Sequence, residues 1–487
     1  MSSARRVGQW CRQLWGRVAR VEHLPVIVLI GAYVAWFSYQ CFRLTFGYGY
    51  PPFDMGVFDQ GMWLLTHFHV PFVTVMGRNL FGDHTSFILL LVAPFYRLFP
   101  EPEGLVLLQT LVLAAGSVPI YVLARKYLKS TSLATAMVAI YLLNPILERG
   151  NLDQFHPEAF QVLLISLAIY AALESKPVLL GVSVALALMV KEDAALLVVA
   201  LGVWVAVYRN RKWGAWIIGS ALAWTVVAIK VIIPSILGAP SIYGGRIPFG
   251  GVSGLIGTLV RRPGELFAYL RSDNRPFYLW QVGATVGFVF VLAPEVAAIG
   301  ALVVLEILVS NDVYMQQIIY QYSLPLAPVL VMGTLYAVSR QRSARRRNVA
   351  TGLALVAALW TCIVWGYAPF SDLGPVAPYP PGSPTYVGLA YDQAALPATA
   401  SVASYFPWVS HLDHRVQVYV WPTPFSAQDW GEGHNNGARL AVASQVQYLL
   451  LPVPLTSADH TDVFARIAPY FTLVRSLNGV GLYKRTR

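Results

Sequence analysis

Long apolar runs separated by short polar connections fill the chain from residue 24 to residue 368. A run of about 20 apolar residues is long enough for an α-helix to cross the hydrocarbon core of a bilayer. The pattern therefore predicts an α-helical polytopic membrane protein, with a transmembrane domain at residues 1–368. About eleven crossings are expected, at residues 24–42, 104–124, 131–147, 159–173, 177–190, 194–208, 214–237, 277–293, 296–309, 324–339 and 349–368.

Two apolar segments near the start of the chain do not fit this series of crossings. Residues 54–66 mix apolar and polar positions, and residues 85–99 are short and contain Pro94. A crossing at 85–99 would also invert the later connections and place their basic clusters outside. Residues 54–66 are therefore predicted to be a short helix along the outer interface, and residues 85–99 an outer re-entrant or juxtamembrane helix.

The pattern changes after residue 368, where prolines recur as far as Pro384. Beyond this linker, runs rich in β-branched and aromatic residues alternate with turn residues, at 401–407, 417–421, 446–451 and 471–483. The last run contains Asn478-Gly479, which is a typical hairpin turn. Residues 369–487 are therefore predicted to form a small α/β domain outside the membrane.

Composition and charge agree with a membrane protein and give the chain an orientation. Hydrophobic residues make up 56% of the chain and charged residues 12%, against about 25% charged residues in a soluble domain. The net charge of +11 comes from basic clusters in short connections, which indicates cytoplasmic loops and not nucleic-acid binding. The arginines at residues 5–20 are expected to hold the N-terminus inside. The prediction is a multi-pass plasma-membrane protein with an extracytoplasmic C-terminal domain.

The acidic residues collect on the predicted outer side, although the topology was assigned from the basic residues alone. The first acidic group lies in Phe53-Asp54-Met55-Gly56-Val57-Phe58-Asp59-Gln60, after the first crossing. Asp54 and Asp59 are five positions apart, so a regular helix would point them in different directions. Asp54 is the predicted catalytic carboxylate, and Asp59 and Gln60 are predicted to contact substrate. The alternative for an isolated Asp54 is a solvated loop carboxylate.

Two further groups on the same side offer metal-ligand or acid–base chemistry. Gly82-Asp83-His84 places a carboxylate beside an imidazole, and Asp153-x-x-His156-x-Glu158 adds three polar groups. Such a set can hold a divalent metal cation, with Asp83 and His84 as ligands, or supply a general base with hydrogen-bonding neighbours. In the functional interpretation His156 and Glu158 contact substrate. The alternative is a helix-start turn at His156-Pro157, and both stay open.

Charged residues also interrupt two later apolar segments. Lys191-Glu192-Asp193 follows the fifth predicted crossing, and arginines including Arg246 and Arg275 lie in the long connection 238–275. Lys191 can meet a phosphate as a point charge, and the arginines can form an anion-binding lip at the outer interface. These five side chains are predicted to bind substrate. The alternatives are an ion pair at an interfacial turn and contact with lipid headgroups.

Taken together, these motifs resemble an uncharacterised family of bacterial polytopic membrane proteins within the GT-C glycosyltransferase superfamily. The resemblance covers nearly the whole chain, and it includes three further motifs, Asn144-Pro145, Asn151-Leu152-x-x-Phe155 and Leu412-x-His414-Arg415. It implies a GT-C-like fold in the bacterial plasma membrane. It also implies a transferase that moves a sugar from a polyprenyl-phosphate donor to an acceptor outside the membrane.

The same resemblance implies roles for individual residues. Asp54 matches the catalytic carboxylate of the first outer loop, and Asp153 matches a second acidic position after the third crossing. Asp83 and His84 match a metal or phosphate position near the juxtamembrane helix. The chain departs from the superfamily at Met55, where a second acidic residue normally follows the first.

Three functions compete on this evidence. An inverting glycosyltransferase would use Asp54 to deprotonate an acceptor hydroxyl, while arginines and a possible cation stabilise the departing lipid phosphate. A transporter or lipid flippase would place charges at mid-membrane depth and show paired halves with discontinuous helices. A non-catalytic envelope assembly protein would leave the outer carboxylates without a purpose. The glycosyltransferase is the preferred hypothesis, with a polyprenyl-phosphate sugar donor, membrane lipids and an outer acceptor as partners.

Overall fold

A computed structural model describes residues 21–240, 242–431 and 436–486, so the predicted arginine cluster at residues 5–20 lies outside the described residues. The described part is mostly helical, as predicted. Its helices of eight residues or more are α1 (Leu24–Phe46), α2 (Val57–Thr66), α3 (Ile88–Leu98), α4 (Pro102–Ala115), α5 (Ser117–Leu128), α6 (Thr131–Leu142), α7 (Pro145–Leu152), α8 (Glu158–Leu173), α9 (Pro177–Leu188), α10 (Ala194–Tyr208), α11 (Arg211–Val227), α12 (Val252–Arg261), α13 (Pro263–Leu270), α14 (Arg275–Ala284), α15 (Ala301–Val309), α16 (Leu326–Ser339), α17 (Ala344–Trp365), α18 (Pro384–Ala395) and α19 (Ala458–Ile467).

Five helical segments of the described residues are long and apolar enough to cross a bilayer alone: Leu24–Phe46, Pro102–Leu128, Arg211–Leu237, Gln321–Ser339 and Ala344–Trp365. The pair α6 and α7, bent by 44°, adds a sixth if both belong to one span. The bend falls at Asn144-Pro145, because proline lacks an amide donor and disfavours helical geometry in the preceding residue. The other predicted crossings correspond to shorter helices, so the expected count of eleven is not confirmed.

Side-chain caps define where several of these helices begin. Each capping oxygen accepts a hydrogen bond from a backbone amide of the first helical turn, and the caps are Ser130 on α6, Asn144 on α7, Asn210 on α11 and Ser343 on α17. A helix start leaves these amides without intrahelical partners, so the caps stabilise the ends. The Asn144 cap therefore reinforces the bend between α6 and α7.

The strands form a small hairpin between α2 and α3 and a larger sheet near the C-terminus. Their bounds are β1 (Phe72–Val73), β2 (Arg78–Asn79), β3 (Val402–Ser404), β4 (Val418–Val420), β5 (Tyr448–Pro452), β6 (Phe471–Leu477) and β7 (Val480–Arg485). The larger sheet has the order β4-β3-β5-β7-β6, with β3 parallel to β4 and β5 and the other pairs antiparallel. All four predicted β-rich runs contribute strands. The predicted turn at Asn478-Gly479 joins β6 to β7, with positive φ at both residues.

The C-terminal sheet packs directly on α2 and the hairpin that follows it. The Thr74 hydroxyl donates to the Val418 carbonyl at 2.8 Å, and the Gln60 amide donates to the Arg415 carbonyl at 3.0 Å. Buried residues on both sides of the linker belong to one continuous apolar core. The boundary predicted at residue 368 therefore separates two regions that share a core, and their independence as domains stays a prediction.

The predicted orientation can be tested by labelling introduced cysteines. Ser343 before α17 and Ser476 on β6 are both exposed, whereas Cys41 and Cys362 are buried. With Cys11 replaced by serine, we expect an impermeant maleimide outside intact cells to label Ser476→Cys and not Ser343→Cys. Both variants should be labelled in permeabilised cells. External labelling of Ser343→Cys would contradict the topology.

Candidate active site

Asp54 lies in a turn with an unusual backbone conformation. Its φ is +75° and its ψ is −74°, and α2 begins only three residues later. Such values are rare and strained for a residue that carries a side chain. The next amide, Met55 N–H, donates to Gln154 Oε1 at 2.9 Å, which fixes the turn against the α7–α8 connection. The helix predicted at 54–66 is therefore shorter than expected, and Asp54 precedes it.

A cavity of about 200 Å³ opens beside this turn, and residues from distant parts of the chain line it. Seven of the predicted site residues are among them: Asp54, Asp83, His84, His156, Glu158, Lys191 and Arg246. Five further polar lining residues were missed by sequence reasoning, namely Arg78, Ser86, Tyr243, Gln321 and Tyr322. The structure thus brings most of the predicted outer groups to one place, while the chemical role of each stays a prediction.

His156 is the closest charged neighbour of Asp54 in this cavity. Its Nε2 lies 3.4 Å from Asp54 Oδ2, and its side chain is almost fully buried while that of Asp54 is 46% exposed. Neither ring nitrogen makes a hydrogen bond to any residue that the structure describes. Burial alone would lower the pKa of His156, but the carboxylates of Asp54 and Asp153 outweigh it and raise the pKa to about 9. A buried imidazolium therefore faces the Asp54 carboxylate.

Asp153 lies behind this pair and does not line the cavity. Burial, opposed by the His156 charge and assisted by Asp54, raises the pKa of Asp153 to about 6. The Gln321 backbone hydrogen-bonds to its carboxyl group. Asp153 thus contributes to the electrostatics around His156 from outside the cavity wall, and its predicted catalytic role stays a prediction.

Lys191 is the centre of an ion network in the cavity wall. Its Nζ lies 3.0 Å from Glu158 Oε1 and 3.3 Å from Asp193 Oδ2, and Lys191 itself is 5% exposed. Burial would lower the pKa of Lys191, but the surrounding carboxylates outweigh it and raise the pKa well above its usual value. Asp193 faces a small adjoining recess that also contains Glu306. Lys191 is therefore charged, and its ammonium group already forms ion pairs with two carboxylates.

Glu192, the middle residue of the same turn, stabilises the part of the cavity wall that contains His84. Its carboxylate contacts His84 Nδ1 at 2.7 Å and accepts the Thr85 backbone amide at 3.1 Å. Burial would lower the pKa of His84, but the Glu192 charge outweighs it and raises the pKa. The His84 ring also stacks on Tyr243, with ring centroids 4.6 Å apart. Glu192 thus orients His84 and does not line the cavity itself.

The predicted cation ligands Asp83 and His84 already have protein partners. Asp83 Oδ1 accepts from Arg78 Nε at 2.7 Å and from the Tyr243 hydroxyl at 2.9 Å. The nearest remaining atoms, His84 Nε2 and Asp83 Oδ2, are 3.9 Å apart. A guanidinium beside the carboxylate opposes a second positive charge there. These residues fit a hydrogen-bonded wall better than a cation site, and the metal at this position stays a prediction.

Of the two arginines that line the cavity, Arg246 has the longer contact to a carboxylate. It ends a short helical turn, Ile242–Arg246, and its Nη2 lies 3.4 Å from Asp312 Oδ2. Its guanidinium lies over the rings of Tyr243 and Tyr322, at 4.4 and 5.8 Å from their centroids. The side chain is 30% exposed. The two rings therefore orient a guanidinium that keeps donors available to an anion.

Besides Glu192 and Asp193, three more predicted substrate-binding residues do not line the cavity. Arg275 is buried between α14 and α15, where it donates to the carbonyls of Leu308 and Ser310 at 2.7 and 3.0 Å. Asp59 and Gln60 lie on the first turn of α2 and face the C-terminal sheet. These three side chains connect chain segments to one another, and their predicted contact with substrate has no support in the cavity geometry.

The family comparison agrees with this architecture. The sequence profile of the DUF2079 predicted membrane proteins matches residues 50–457, which is most of the chain. The chain belongs to this family. A search of the curated proteins finds no match for this DUF2079 member.

Solved structures give this DUF2079 protein a known fold. ArnT from Cupriavidus metallidurans bound to undecaprenyl phosphate has a TM-score of 0.53 and 10% identity, and covers 96% of this chain and 98% of its own. The same ArnT in its apo state has a TM-score of 0.50 and 10% identity, and covers 88% and 92%. ArnT is a GT-C glycosyltransferase, so the GT-C-like fold implied by the sequence motifs is confirmed.

The His156 charge predicts a pH dependence of stability. Its pKa is raised from 6.5 to about 9 in the folded protein, so its stabilising contribution is complete below pH 6.5 and is lost as pH rises through about 9. The contribution is at most about 3 kcal/mol. We expect the thermal unfolding temperature to decrease as the pH rises from 6.5 to 9. In His156→Gln this decrease with pH should be smaller. The exposed His69→Gln variant is the control, and an unchanged slope in His156→Gln would contradict the assignment.

Proposed function

We propose that this chain is an integral membrane glycosyltransferase that uses a polyprenyl-phosphate-linked sugar as donor and transfers the sugar to an acceptor outside the membrane. The observation that carries the proposal is the cavity itself, where an exposed carboxylate faces a set of cationic side chains. The likeness to ArnT supplies the fold, and the printed description of ArnT names undecaprenyl phosphate. The chemistry is argued from the residues of this chain.

In the proposed reaction Asp54 is the general base. Its carboxylate takes the proton of the acceptor hydroxyl as the acceptor oxygen bonds to the anomeric carbon of the sugar. The bond between that carbon and the lipid phosphate oxygen breaks, and the phosphate keeps the electron pair. A single displacement of this kind inverts the anomeric configuration. The strained turn that presents Asp54 and the 46% exposure of its side chain suit this role.

The leaving phosphate is proposed to bind to cationic side chains of the cavity wall. Arg246 is the preferred ligand, because two tyrosine rings orient its guanidinium and its contact to the Asp312 carboxylate is 3.4 Å long. Lys191 is less suited to this role, because Glu158 and Asp193 already pair with its ammonium group. Donors placed in advance around a developing negative charge lower the barrier to its formation.

The remaining predicted residues support this site from its edges. Glu158 neutralises Lys191, and Glu192 orients His84 within the wall formed with Asp83. Asp153 adds a second carboxyl group behind His156 and is proposed to assist catalysis through it. We assign no reaction step to a metal ion, because the hydrogen-bonded Asp83 and His84 do not require one.

The Arg246 assignment predicts a loss of lipid phosphate binding. Arg246→Gln removes a charged donor that is worth about 1.5–3 kcal/mol, which corresponds to a rise in Kd of about 10- to 100-fold. Binding of undecaprenyl phosphate to the purified protein in detergent micelles measures this effect. Arg261→Gln, on the exposed end of α12, is the matched control and should bind normally. Equal affinities for Arg246→Gln and the parent would remove Arg246 from the phosphate site.

The proposed activity is tested with the protein reconstituted in liposomes. Radiolabelled polyprenyl-phosphate sugars are added with a membrane extract as the acceptor source, and transfer of label out of the lipid fraction is followed. We expect transfer by the parent and not by Asp54→Asn. Label that crosses the bilayer while still attached to lipid would instead support a flippase. If the label is neither transferred nor moved across the bilayer, the non-catalytic assembly role is favoured.

A further inference from the structure

A second cluster of ionisable side chains lies away from the cavity, between the first outer loop and the C-terminal sheet. It consists of Asp59 on the first turn of α2 and Asp413 and His414 just before β4, and we call it the junction cluster. One ligand atom from each residue lies within 4.8 Å of the others. Asp59 is fully buried and Asp413 is 2% exposed. The proposed glycosyl transfer uses none of the three.

The contacts within the junction cluster leave it short of positive charge. His414 Nε2 lies 2.8 Å from Asp59 Oδ2, and the Tyr96 hydroxyl of α3 donates to Asp59 Oδ1 at 2.6 Å. Asp413 Oδ2 makes no hydrogen bond to any described residue, although it is buried. Arg415, two positions later, donates its guanidinium protons to the backbone carbonyls of Leu412, Pro397 and Ala400.

This arrangement is costly unless a further group is bound. Two buried carboxylates at close range repel each other, and a buried carboxylate oxygen without a partner loses its solvation without compensation. The partnerless oxygen of Asp413 lies at the same cluster that already holds the Asp59 carboxylate and the His414 ring. A divalent cation would neutralise both carboxylates and would accept the lone pair of the imidazole nitrogen.

We propose that the junction cluster is a divalent cation site, with Asp59, Asp413 and His414 as ligands. Two carboxylate oxygens and one imidazole nitrogen are a donor set that suits Zn²⁺ better than Ca²⁺ or Mg²⁺. Ligand bonds of about 2.0–2.2 Å place neighbouring donors a little over 3 Å apart, so His414 needs to move only slightly from Asp59. The Tyr96 hydroxyl, bonded to the other Asp59 oxygen, orients that ligand.

The position of this site gives the ion a structural task. Its ligands join α2 to the C-terminal sheet, and Tyr96 adds α3, so one ion holds three segments that are far apart in the sequence. The side chain of His414 is 30% exposed, which provides a route for entry and removal. Asp59 is five residues after Asp54, so the ion also fixes the end of α2 that carries the cavity turn.

Metal content and stability of the full-length purified protein test the proposal. The protein is stripped with chelator, incubated with ZnSO₄, desalted and measured by elemental mass spectrometry. We expect about one zinc ion per chain, and less than about 0.1 for Asp413→Asn and His414→Gln. The exposed Asp462→Asn variant and the cavity variant His84→Gln should retain the parental content. Zinc should raise the thermal midpoint of the parent and leave that of Asp413→Asn unchanged.

Several outcomes would overturn the proposal. One is a parent that holds no zinc. Another is zinc content that is the same in Asp413→Asn and His414→Gln as in the parent, or that is lost in His84→Gln. A third is a pair of results: Asp413→Asn is more stable than the parent without zinc, and zinc does not change the stability of the parent. A proton shared between Asp59 and Asp413 would then explain the cluster. His414 is partly exposed, so His414→Gln supplies the comparison if Asp413→Asn does not fold.

Discussion

Replacing Asp54 with asparagine is expected to lower the turnover of sugar transfer by about 10²- to 10⁴-fold, which is the usual contribution of a general base. Asparagine keeps the size of the side chain and can adopt the positive φ of this turn more readily than most residues. It does not accept a proton from the acceptor hydroxyl. Binding of undecaprenyl phosphate should change little, because the proposed phosphate ligand is Arg246 and not Asp54.

The measurement is turnover and lipid affinity for the parent, Asp54→Asn and a control. Asp462→Asn makes the same chemical change on an exposed face of α19, so it should leave both quantities unchanged. Parental turnover in Asp54→Asn would exclude Asp54 as an essential base. A variant that binds lipid more weakly, but transfers sugar from bound donor at the parental rate, would instead place Asp54 in the phosphate site.

Local patterns were enough to predict the class of the fold and much of its C-terminal region. Apolar runs, β-rich runs and the Asn478-Gly479 turn are signals carried by neighbouring residues, and the corresponding elements are present. The number of crossings was harder to predict, because helices such as α8 and α10 are apolar but shorter than a typical span. Their composition is equally compatible with burial inside a helical bundle, and length alone does not separate the two.

The candidate site was predicted in part, for a physical reason. Charged groups that gather on one side of a membrane are identifiable because charge is costly within it, and Asp54, His156 and Lys191 were found in this way. The direction of each side chain depends on packing between distant segments. Asp59 meets His414, which is 355 positions away, and Arg275 meets carbonyls of α15. Tyr243 and Tyr322 carry no charge and had no sequence signal, although they orient Arg246.

Removing the charge of Lys191 is expected to have the largest effect on stability. Lys191→Met preserves the length of a buried side chain and leaves Glu158 and Asp193 without their cation. Breaking a buried ion pair in this way costs about 3–5 kcal/mol. We expect a matching decrease in the free energy of unfolding, measured in mixed micelles by tryptophan fluorescence. Lys126→Met is the matched control, because Lys126 pairs with Glu174 while its side chain is 62% exposed, and such pairs are worth about 0–1 kcal/mol.

A second substitution distinguishes the loss of the ion network from a simple packing defect. If Lys191→Met is destabilising because Glu158 is left charged and buried, adding Glu158→Gln should recover part of the loss, with a coupling of about 0.5–3 kcal/mol. A packing defect at Lys191 would leave the two effects additive. Recovery is expected to be incomplete, because Asp193 still faces the position that Lys191 neutralised. Equal stabilities for Lys191→Met and Lys126→Met would show that the carboxylates around Lys191 do not depend on it.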